Sequence, residues 1–397
     1  MQVRIFNAWR WLFLYLICSA SLQASGSLTV YPCGLQISIL TCGPGADLYS
    51  IYGHSAIRIL DSCQQTDIVY NYGTFSFSDP DFYLKFTRGK LDYYLGTESF
   101  PGFMAQYQEE GRRVDEQILL LSAEEALKVR DFLVNNALPA NRNYRYDFLF
   151  DNCSTRIRDI FSNLFKDQFV YGIAMQDDSI SFRILLNHYE RNLHWERVGI
   201  NLLMSDIVDR PMKSNESMFL PDYLQKGFAT ARLNGRFIVG SEKNLLPTRW
   251  EPGASRNEPL FFFLLFAAAY FLLSRLKTLK SSMIYLDSAL FLIAGLLGII
   301  MLFMWFGTDH KVCAWNRNLF WAFPLHLIFA GMLTFKSEKV STYARSASWL
   351  ITLSLIYQFF AQQKFDIEIL PLILIIWLRL RYYAGAFKWQ AAQIFTR

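Results

Sequence analysis

The chain of 397 residues is poor in charge, since Asp, Glu, Lys and Arg make up only 18% of it, against about a quarter of an average protein. Its net charge is +5 and no run of basic residues occurs, which argues against nucleic-acid binding. The five histidines and six cysteines show no spacing typical of a metal site, and no glycine-rich phosphate loop follows a predicted strand. We therefore expect no metal, no cofactor and no nucleic-acid partner.

Hydrophobic residues form 52% of the chain and are concentrated in its last third. There, apolar runs separated by polar breaks each predict a membrane-spanning helix. The runs are Pro259–Leu273, Ala289–Phe306, Leu319–Phe335, Trp349–Ala361 and Ile369–Leu378. The last two are shorter than the about 20 residues that a spanning helix needs, so they borrow flanking residues or lie partly at the interface. Residues 256–397 thus predict a membrane domain of about five helices.

The first 24 residues predict an export signal peptide. Arg4 and Arg10 precede the apolar run Trp11–Ile17, and the small residues Ala20 and Ala24 offer cleavage positions. An uncleaved signal anchor is the alternative. Either arrangement places residues 25–255 outside the cytoplasm.

Basic residues follow the first, third and fifth apolar runs, and these three sites share one side of the membrane if all five runs span it. They are Arg275, Lys277, Lys280, Lys336, Lys339, Arg345, Arg379, Arg381 and Lys388. An exported N-terminal part starts the first span on the opposite side, so both considerations agree. We expect a multi-pass protein of the inner (cytoplasmic) membrane with its N-terminal domain in the periplasm.

Residues 25–255 combine strand-like and helix-like patterns. The strand-like runs are Leu35–Leu40, Ser55–Leu60 and Ile68–Tyr72. Ser122 and Glu125 form a capping box ahead of a helical period, and a second helix begins with Asp151 or Asn152 as its N-cap. Residues 195–255 are typical of an irregular linker toward the membrane. The sequence predicts an α+β domain.

Cys153 is the candidate nucleophile. It falls in the first turn of its helix, where unpaired backbone amides and the helix dipole favour the thiolate. Its polar neighbours Asp151, Asn152 and Ser154 favour this role over that of a small core residue. His54, at the start of a predicted strand, is the candidate general base. The alternative for His54 is a structural histidine bonded to a turn carbonyl.

Asn71 is the candidate third catalytic residue. If the two strands turn near Cys63, Asn71 lies diagonally opposite His54 on the same face of the sheet, because side chains alternate along a strand. There its side chain can orient the imidazole. The alternative is a turn residue beside Tyr72.

Three residues are candidates for substrate binding: Tyr52, Arg156 and His310. Arg156 can meet a lipid phosphate, although an arginine on an exposed helix face more often serves solubility or an ion pair. His310 lies with Asp309 and Asn316 in an outward-facing loop before the third span. With His326 inside that span, they can line a cavity beneath the N-terminal domain.

Export places the other cysteines in an oxidising compartment, where Cys33, Cys42 and Cys63 can pair. Three sulfurs leave one unpaired, and sequence does not fix the connectivity; Cys33–Cys42 is one pairing. Cys153 is expected to remain a free thiol, and Cys313 lies in a later loop.

Several segments resemble the Lnb N-terminal periplasmic domain family, and two later ones resemble its membrane part. They are Leu48–Arg58, Tyr70–Phe75, Tyr146–Asp159, Thr308–Lys311 and Asn316–His326. The resemblance covers nearly all of the chain after the signal. It implies a circularly permuted papain-like domain, as in lecithin:retinol acyltransferase-like proteins, with Cys153 as nucleophile and His54 as base.

The activity that this resemblance implies is lipoprotein N-acylation. A long acyl chain moves from a phospholipid donor to the free α-amino group of a diacylglyceryl-cysteine lipoprotein, the acceptor. Two other classes remain open on the residues themselves. One is an envelope cysteine hydrolase, a peptidase or amidase, and the other is a non-catalytic membrane scaffold protein.

Overall fold

The computed structural model of the protein describes residues 34–76, 81–249, 253 and 255–394, with 386–394 as helical backbone alone. The predicted export signal, Cys18, Cys33 and the side chain of Lys388 lie outside this description. The strands are β1 Leu35–Cys42, β2 His54–Asp61, β3 Thr66–Thr74, β4 Asp92–Ser99, β5 Val114–Leu119, β6 Asn143–Arg145, β7 Phe169–Val170, β8 Arg232–Leu233, β9 Arg236–Phe237 and β10 Val239–Leu246. The α-helices are α1 Phe82–Thr87, α2 Phe100–Glu109, α3 Ala123–Asn136, α4 Cys153–Phe165, α5 Phe182–Tyr189, α6 His194–Leu203, α7 Pro221–Ala229, α8 Glu258–Arg275, α9 Met283–Phe306, α10 His326–Thr334, α11 Val340–Tyr357 and α12 Leu370–Ile394.

An antiparallel sheet with the strand order β10-β5-β1-β2-β3-β4-β6 organises the N-terminal part. The predicted hairpin is β2 and β3, in which Asp61 pairs with Thr66 and Ile57 with Tyr70. The chain therefore turns around Cys63, as predicted. If this register is continued, residue 54 faces residue 73. Residue 71 is two positions from residue 73 and therefore lies diagonally opposite residue 54, on the same face of the sheet.

Helix α4 begins where the sequence predicts it. The Asn152 side chain accepts a bond from the Thr155 amide at 2.9 Å, and the Thr155 hydroxyl accepts one from the Asn152 amide at 2.7 Å. This reciprocal cap satisfies two helix-end amides. Ile157, Ile160 and Phe161 are buried on the face that packs across β2 and β3. Because the cap and the buried face fix the helix on the sheet, Cys153 is held beside the start of β2.

The prediction that residues 195–255 form an irregular linker is wrong. Helices α6 and α7 lie there, and Leu224 and Phe228 of α7, one helical turn apart, are both fully buried. Strand β10 pairs with β5 as an edge strand of the main sheet. Its largely exposed, charged face hid it from a search for apolar alternation, since edge strands carry such residues to prevent further pairing.

The C-terminal part is helical. Within the described residues, α8 and α9 are long and apolar enough to cross a membrane, with mean hydropathies of 1.5 and 2.6. Helix α10 covers only His326–Thr334 of the predicted third span. It rises about 14 Å at about 1.5 Å per residue, well short of the about 30 Å of a hydrocarbon core.

The basic residues predicted to form a loop after the fifth apolar run lie in a helix instead. Helix α12 continues through Arg379 and Arg381 to Ile394. The Arg379 guanidinium is buried and donates to both carboxylate oxygens of Asp287, at 2.7 and 2.5 Å. The prediction that Arg379 belongs to a basic loop is wrong, because its charge is neutralised between two helices.

Polar contacts join the N-terminal part to the loops between the membrane helices. They are the ion pairs Arg197–Glu368 and Arg317–Asp206 (2.6 Å), and the bonds from Asn316 to the Leu202 carbonyl (2.7 Å) and from Gln363 to the Met204 carbonyl (3.1 Å). The loop between α9 and α10 also approaches the candidate site described next.

Candidate active site

His54 is the first residue of β2, and its position depends on the glycine before it. Gly53 has a φ of +82°, and a Cβ there would lie 2.5 Å from the Cys42 carbonyl oxygen. Only glycine adopts this conformation and this approach without strain. The backbone therefore passes close to β1 and directs His54 toward the start of α4.

Cys153 is the first residue of α4 and is 9% exposed. The neighbouring Ser154 hydroxyl lies 3.0 Å from the Ser55 hydroxyl, which fastens the helix start to β2 beside His54. The Cys153 sulfur lies 3.9 Å from the Ser154 hydroxyl, and the His54 side chain and the Ser55 backbone are close enough to act on its charge. Thiol, imidazole and helix N-terminus thus lie together.

The electrostatics of this pair favour its charged form. Burial raises the pKa of Cys153, but the charge and hydrogen bond of His54 and the Ser55 amide outweigh burial and bring the pKa below its ordinary value. Burial lowers the pKa of His54, and the Cys153 thiolate together with the Asn71 bond outweighs it, so that pKa is raised. By contrast, burial raises the pKa of Cys42 to about 12. The imidazole therefore distinguishes Cys153 from a buried thiol that has no charge partner.

Asn71 lies against His54, where the hairpin register predicts it. The His54 Nε2 is 3.1 Å from the Asn71 Oδ1. Because a carbonyl oxygen only accepts, Nε2 carries the proton of this bond and Nδ1 is left for Cys153.

Glu98 is a site residue that the sequence reasoning missed. Asn71 Nδ2 donates to Glu98 Oε1 at 2.7 Å, which fixes the amide with its oxygen toward His54. The β3–β4 register pairs Asn71 with Gly96, so Glu98 lies diagonally across on the same face. Burial raises the pKa of Glu98 in spite of the opposing effects of His54 and Asn71. The polar end of β4 does not show the alternation of a buried strand, so no local pattern indicated Glu98.

A cavity of about 1000 Å³ opens from the thiol. Its walls include Cys153, His54, Tyr93 and Phe148, and also His310 from the loop between α9 and α10. The structure thus brings His310 to the same cavity as the thiol, although the two residues lie far apart in the sequence. Part of the cavity wall comes from the membrane domain.

Tyr52 also lines this cavity, and its hydroxyl donates to Glu190. Glu190 is 0% exposed, and burial raises its pKa to about 7, against the Tyr52 bond and the nearby Arg197 and Arg183. Tyr52 therefore lines the cavity with its ring, while its hydroxyl bonds to the buried Glu190 behind the cavity wall.

Arg156 lies outside the walls of the thiol cavity. Its guanidinium bonds to both carboxylate oxygens of Asp151, at 2.5 and 2.7 Å, and stacks over the Tyr144 ring at 4.0 Å. It faces a second, smaller depression that Asp309 and Lys311 also line. Arg156, which the sequence suggests as a partner of a lipid phosphate, is therefore already paired with Asp151.

The other loop polar groups are used in structural contacts. Asp309 accepts from Arg145 at 3.0 Å. His326 is fully buried, with Nε2 3.1 Å from the Trp321 carbonyl and Nδ1 2.9 Å from the Tyr343 hydroxyl. The prediction that His326 lines the cavity is wrong, because packing between membrane helices encloses its ring.

The cysteines divide into one disulfide partner and three free thiols among the described residues. Cys63 is disulfide-bonded, whereas Cys42, Cys153 and Cys313 are free and buried. A Cys33–Cys42 pairing is therefore wrong, and Cys153 is free as predicted. Among the described residues, no group of three or more His, Cys, Asp or Glu side chains is arranged to hold a metal ion.

Two family models match the chain. The Lnb N-terminal periplasmic domain matches residues 28–181, and the Lnb transmembrane domain matches residues 253–388. The first range contains His54, Asn71, Glu98 and Cys153, and the second contains His310. No curated protein and no solved structure matches.

Proposed function

Since this chain belongs to the Lnb family, with its N-terminal periplasmic domain followed by its transmembrane domain, we propose that it is a lipoprotein N-acyltransferase of the inner membrane. Family membership supports the broader class, a membrane enzyme of lipoprotein processing. The finer assignment is that an acyl chain moves from a phospholipid, through a thioester on Cys153, to the α-amino group of a diacylglyceryl-cysteine lipoprotein.

One observation carries the proposal. A thiol paired with an imidazole opens into a cavity of about 1000 Å³, and a loop between membrane helices supplies part of its wall through His310. A hydrolase of soluble peptides has no need of such a wall. Donor and acceptor lipids both remain in the bilayer, so a site built against the membrane domain suits a transfer between them.

The first half of the reaction forms the thioester. The Cys153 thiolate, its proton held on His54, attacks the carbonyl carbon of a phospholipid ester. A first-turn backbone amide of α4 with no intrahelical acceptor stabilises the oxyanion. The C–O bond then breaks, the leaving alkoxide takes the proton from His54, and a lysophospholipid departs.

The second half consumes the thioester. The lipoprotein α-amine attacks the Cys153 acyl carbon and gives its proton to His54. The C–S bond breaks, which restores the thiolate beside the imidazolium and releases the N-acylated lipoprotein. Asn71 keeps the ring oriented in both halves.

We assign Tyr52 and His310 to contacts with the bound lipids, because both line the cavity. Arg156 is left out of this assignment, since Asp151 already pairs with it. The order of the pair, a strand histidine before a helix-opening cysteine, supports the circularly permuted papain-like arrangement.

The test compares Cys153→Ala with Cys313→Ala, which removes another buried free thiol. In cells that depend on this protein, Cys153→Ala should abolish N-acylation of lipoproteins, and Cys313→Ala should retain it. Mass spectrometry of the purified protein after incubation with phospholipid should find an acyl mass on Cys153. Unchanged lipoproteins with Cys153→Ala would refute catalysis by this thiol. Fatty-acid release without transfer to an amine acceptor would favour a hydrolase.

A further inference from the structure

Helix α1 exposes three large apolar side chains. Tyr83, Leu84 and Phe86 are 79%, 58% and 54% exposed, whereas Phe82 is buried and stacks on Phe75 at 5.8 Å between ring centroids. Phe82 therefore anchors this short helix in the N-terminal domain, and Phe86 stacks on Phe82 at 6.0 Å between ring centroids. Together with Tyr83 and Leu84, the exposed part of Phe86 presents aromatic and aliphatic surface outward, which is typical of an interaction site.

The chain that follows α1 is fixed to the membrane domain. The Arg88 carbonyl accepts from the Asp309 amide at 2.9 Å. At Gly89, with a φ of +65°, a Cβ would lie only 3.2 Å from the His310 ring. These contacts hold the end of α1 on the loop that leaves α9. Because the helix rises only about 1.5 Å per residue, the rest of α1 lies within about 10 Å of this end.

The same loop marks the level of the membrane surface. At the end of α9, Trp305 stacks on Phe306 at 4.5 Å and contacts Trp315 at 4.5 Å, and the latter two rings are exposed. Such clusters at the end of an apolar helix are typical of the headgroup layer. The exposed side of α1 therefore lies at that layer. The neighbouring Arg88 and Lys90 suit phosphate groups there.

The thiol cavity reaches this edge. Phe86, Gly89 and His310 line it together with Cys153 and His54. The cavity thus connects the level of α1 with the thiol.

We propose that α1 inserts Tyr83, Leu84 and Phe86 into the outer leaflet of the phospholipid bilayer. In the same proposal, the edge of the cavity between Phe86 and His310 is the mouth through which a lipid acyl chain reaches Cys153. The mouth rests on the proposed acyl transfer, whereas the insertion of α1 does not. The occupant of this surface is the bilayer itself.

Depth of insertion is measured without turnover. A nitroxide is attached to Leu84→Cys in a Cys153→Ser background of the full chain, in nanodiscs of phosphatidylethanolamine and phosphatidylglycerol. The matched control is Ile173→Cys, since Ile173 is 72% exposed in the N-terminal part. The Leu84 label should be relaxed more by oxygen than by a water-soluble nickel complex, and the Ile173 label should show the reverse. Equal accessibility of the two labels to the nickel complex would overturn the proposal.

The mouth is tested with Tyr83→Ser combined with Leu84→Ser. Acylation of Cys153 from bilayer phospholipid should fall about tenfold or more, because two interfacial anchors are lost. Alkylation of Cys153 by iodoacetamide should stay within about twofold, which shows an intact dyad. Unchanged acylation would refute the mouth. If no acylation occurs even in the unmodified protein, the proposed transfer fails, while the label depths still decide whether α1 is inserted.

Discussion

Replacing His54 by Ala should leave Cys153 as a buried thiol without its charge partner. Two thiols of the same chain give the magnitude. Cys42 shows what burial does to a thiol that has no imidazole partner, since burial raises its pKa from 9.0 to about 12. The pKa of Cys153 lies below 9.0, because the charge and bond of His54 and the Ser55 amide outweigh its burial.

The difference between these two situations is at least three pKa units, from 9.0 to about 12. Each unit is a factor of ten in the thiolate fraction near neutral pH, so the loss of His54 alone would slow alkylation of Cys153 by about a thousandfold. The retained Ser55 amide and helix dipole, together with water admitted to the vacated space, reduce this loss to about a hundredfold at the lower limit.

The assay is pseudo-first-order alkylation by iodoacetamide from pH 5 to 10, with peptide mapping to separate the cysteines. Cys42 is an internal control, since it should remain slow in both proteins. In the unmodified protein, the rate at Cys153 should already be high below pH 9, and in His54→Ala it should rise only at alkaline pH. A rate for His54→Ala within tenfold of the unmodified protein at pH 7 would refute the ion-pair interpretation.

Three other substitutions test the surroundings of the pair. Gly53→Ala meets the Cys42 carbonyl oxygen at 2.5 Å with a φ of +82°, so it should destabilise the fold by about 2 kcal/mol in thermal unfolding and also slow alkylation of Cys153. Glu98→Ala frees Asn71 and should lower the acyl-transfer rate about tenfold, whereas Glu98→Gln should restore it, because the amide oxygen accepts the same bond; equal rates for both variants would exclude a positioning role. Burial raises the pKa of Glu190 from 4.5 to about 7, so the folded protein binds the extra proton and loses up to about 3 kcal/mol of stability as pH rises from 4.5 through 7. Glu190→Gln should remove that slope from the melting temperatures measured between pH 5 and 8.

The hairpin that carries the site was predictable because its signals are local. Alternation in β2 and β3 and a turn near Cys63 determine the register, and the register alone brings residue 71 beside residue 54. The cap of α4 is equally local, since Asn152 and Thr155 are three positions apart. The sequence therefore predicts Cys153, His54 and the placement of Asn71.

Glu98 and Arg379 depend on information that no local pattern holds. Strand β4 reads DYYLGTES, and its polar end does not alternate as a buried strand does. Arg379 looks like one more basic residue after an apolar run until Asp287, 92 positions away, is placed against it. A charge count assigns such a residue to a loop because its partner is set only by helix packing.

The position of His310 joins the two domains in one site. The dyad belongs entirely to the N-terminal domain, where the Ser55–Ser154 contact fixes α4 on β2. The cavity in front of it does not, because His310 packs on Gly89 and closes one side. Glycine at position 89 suits this packing, since its φ is +65° and a Cβ there would lie 3.2 Å from the His310 ring, which would have to shift. Thiolate formation should therefore depend on the N-terminal domain alone, whereas the shape of the lipid-binding cavity depends on the contact between both domains.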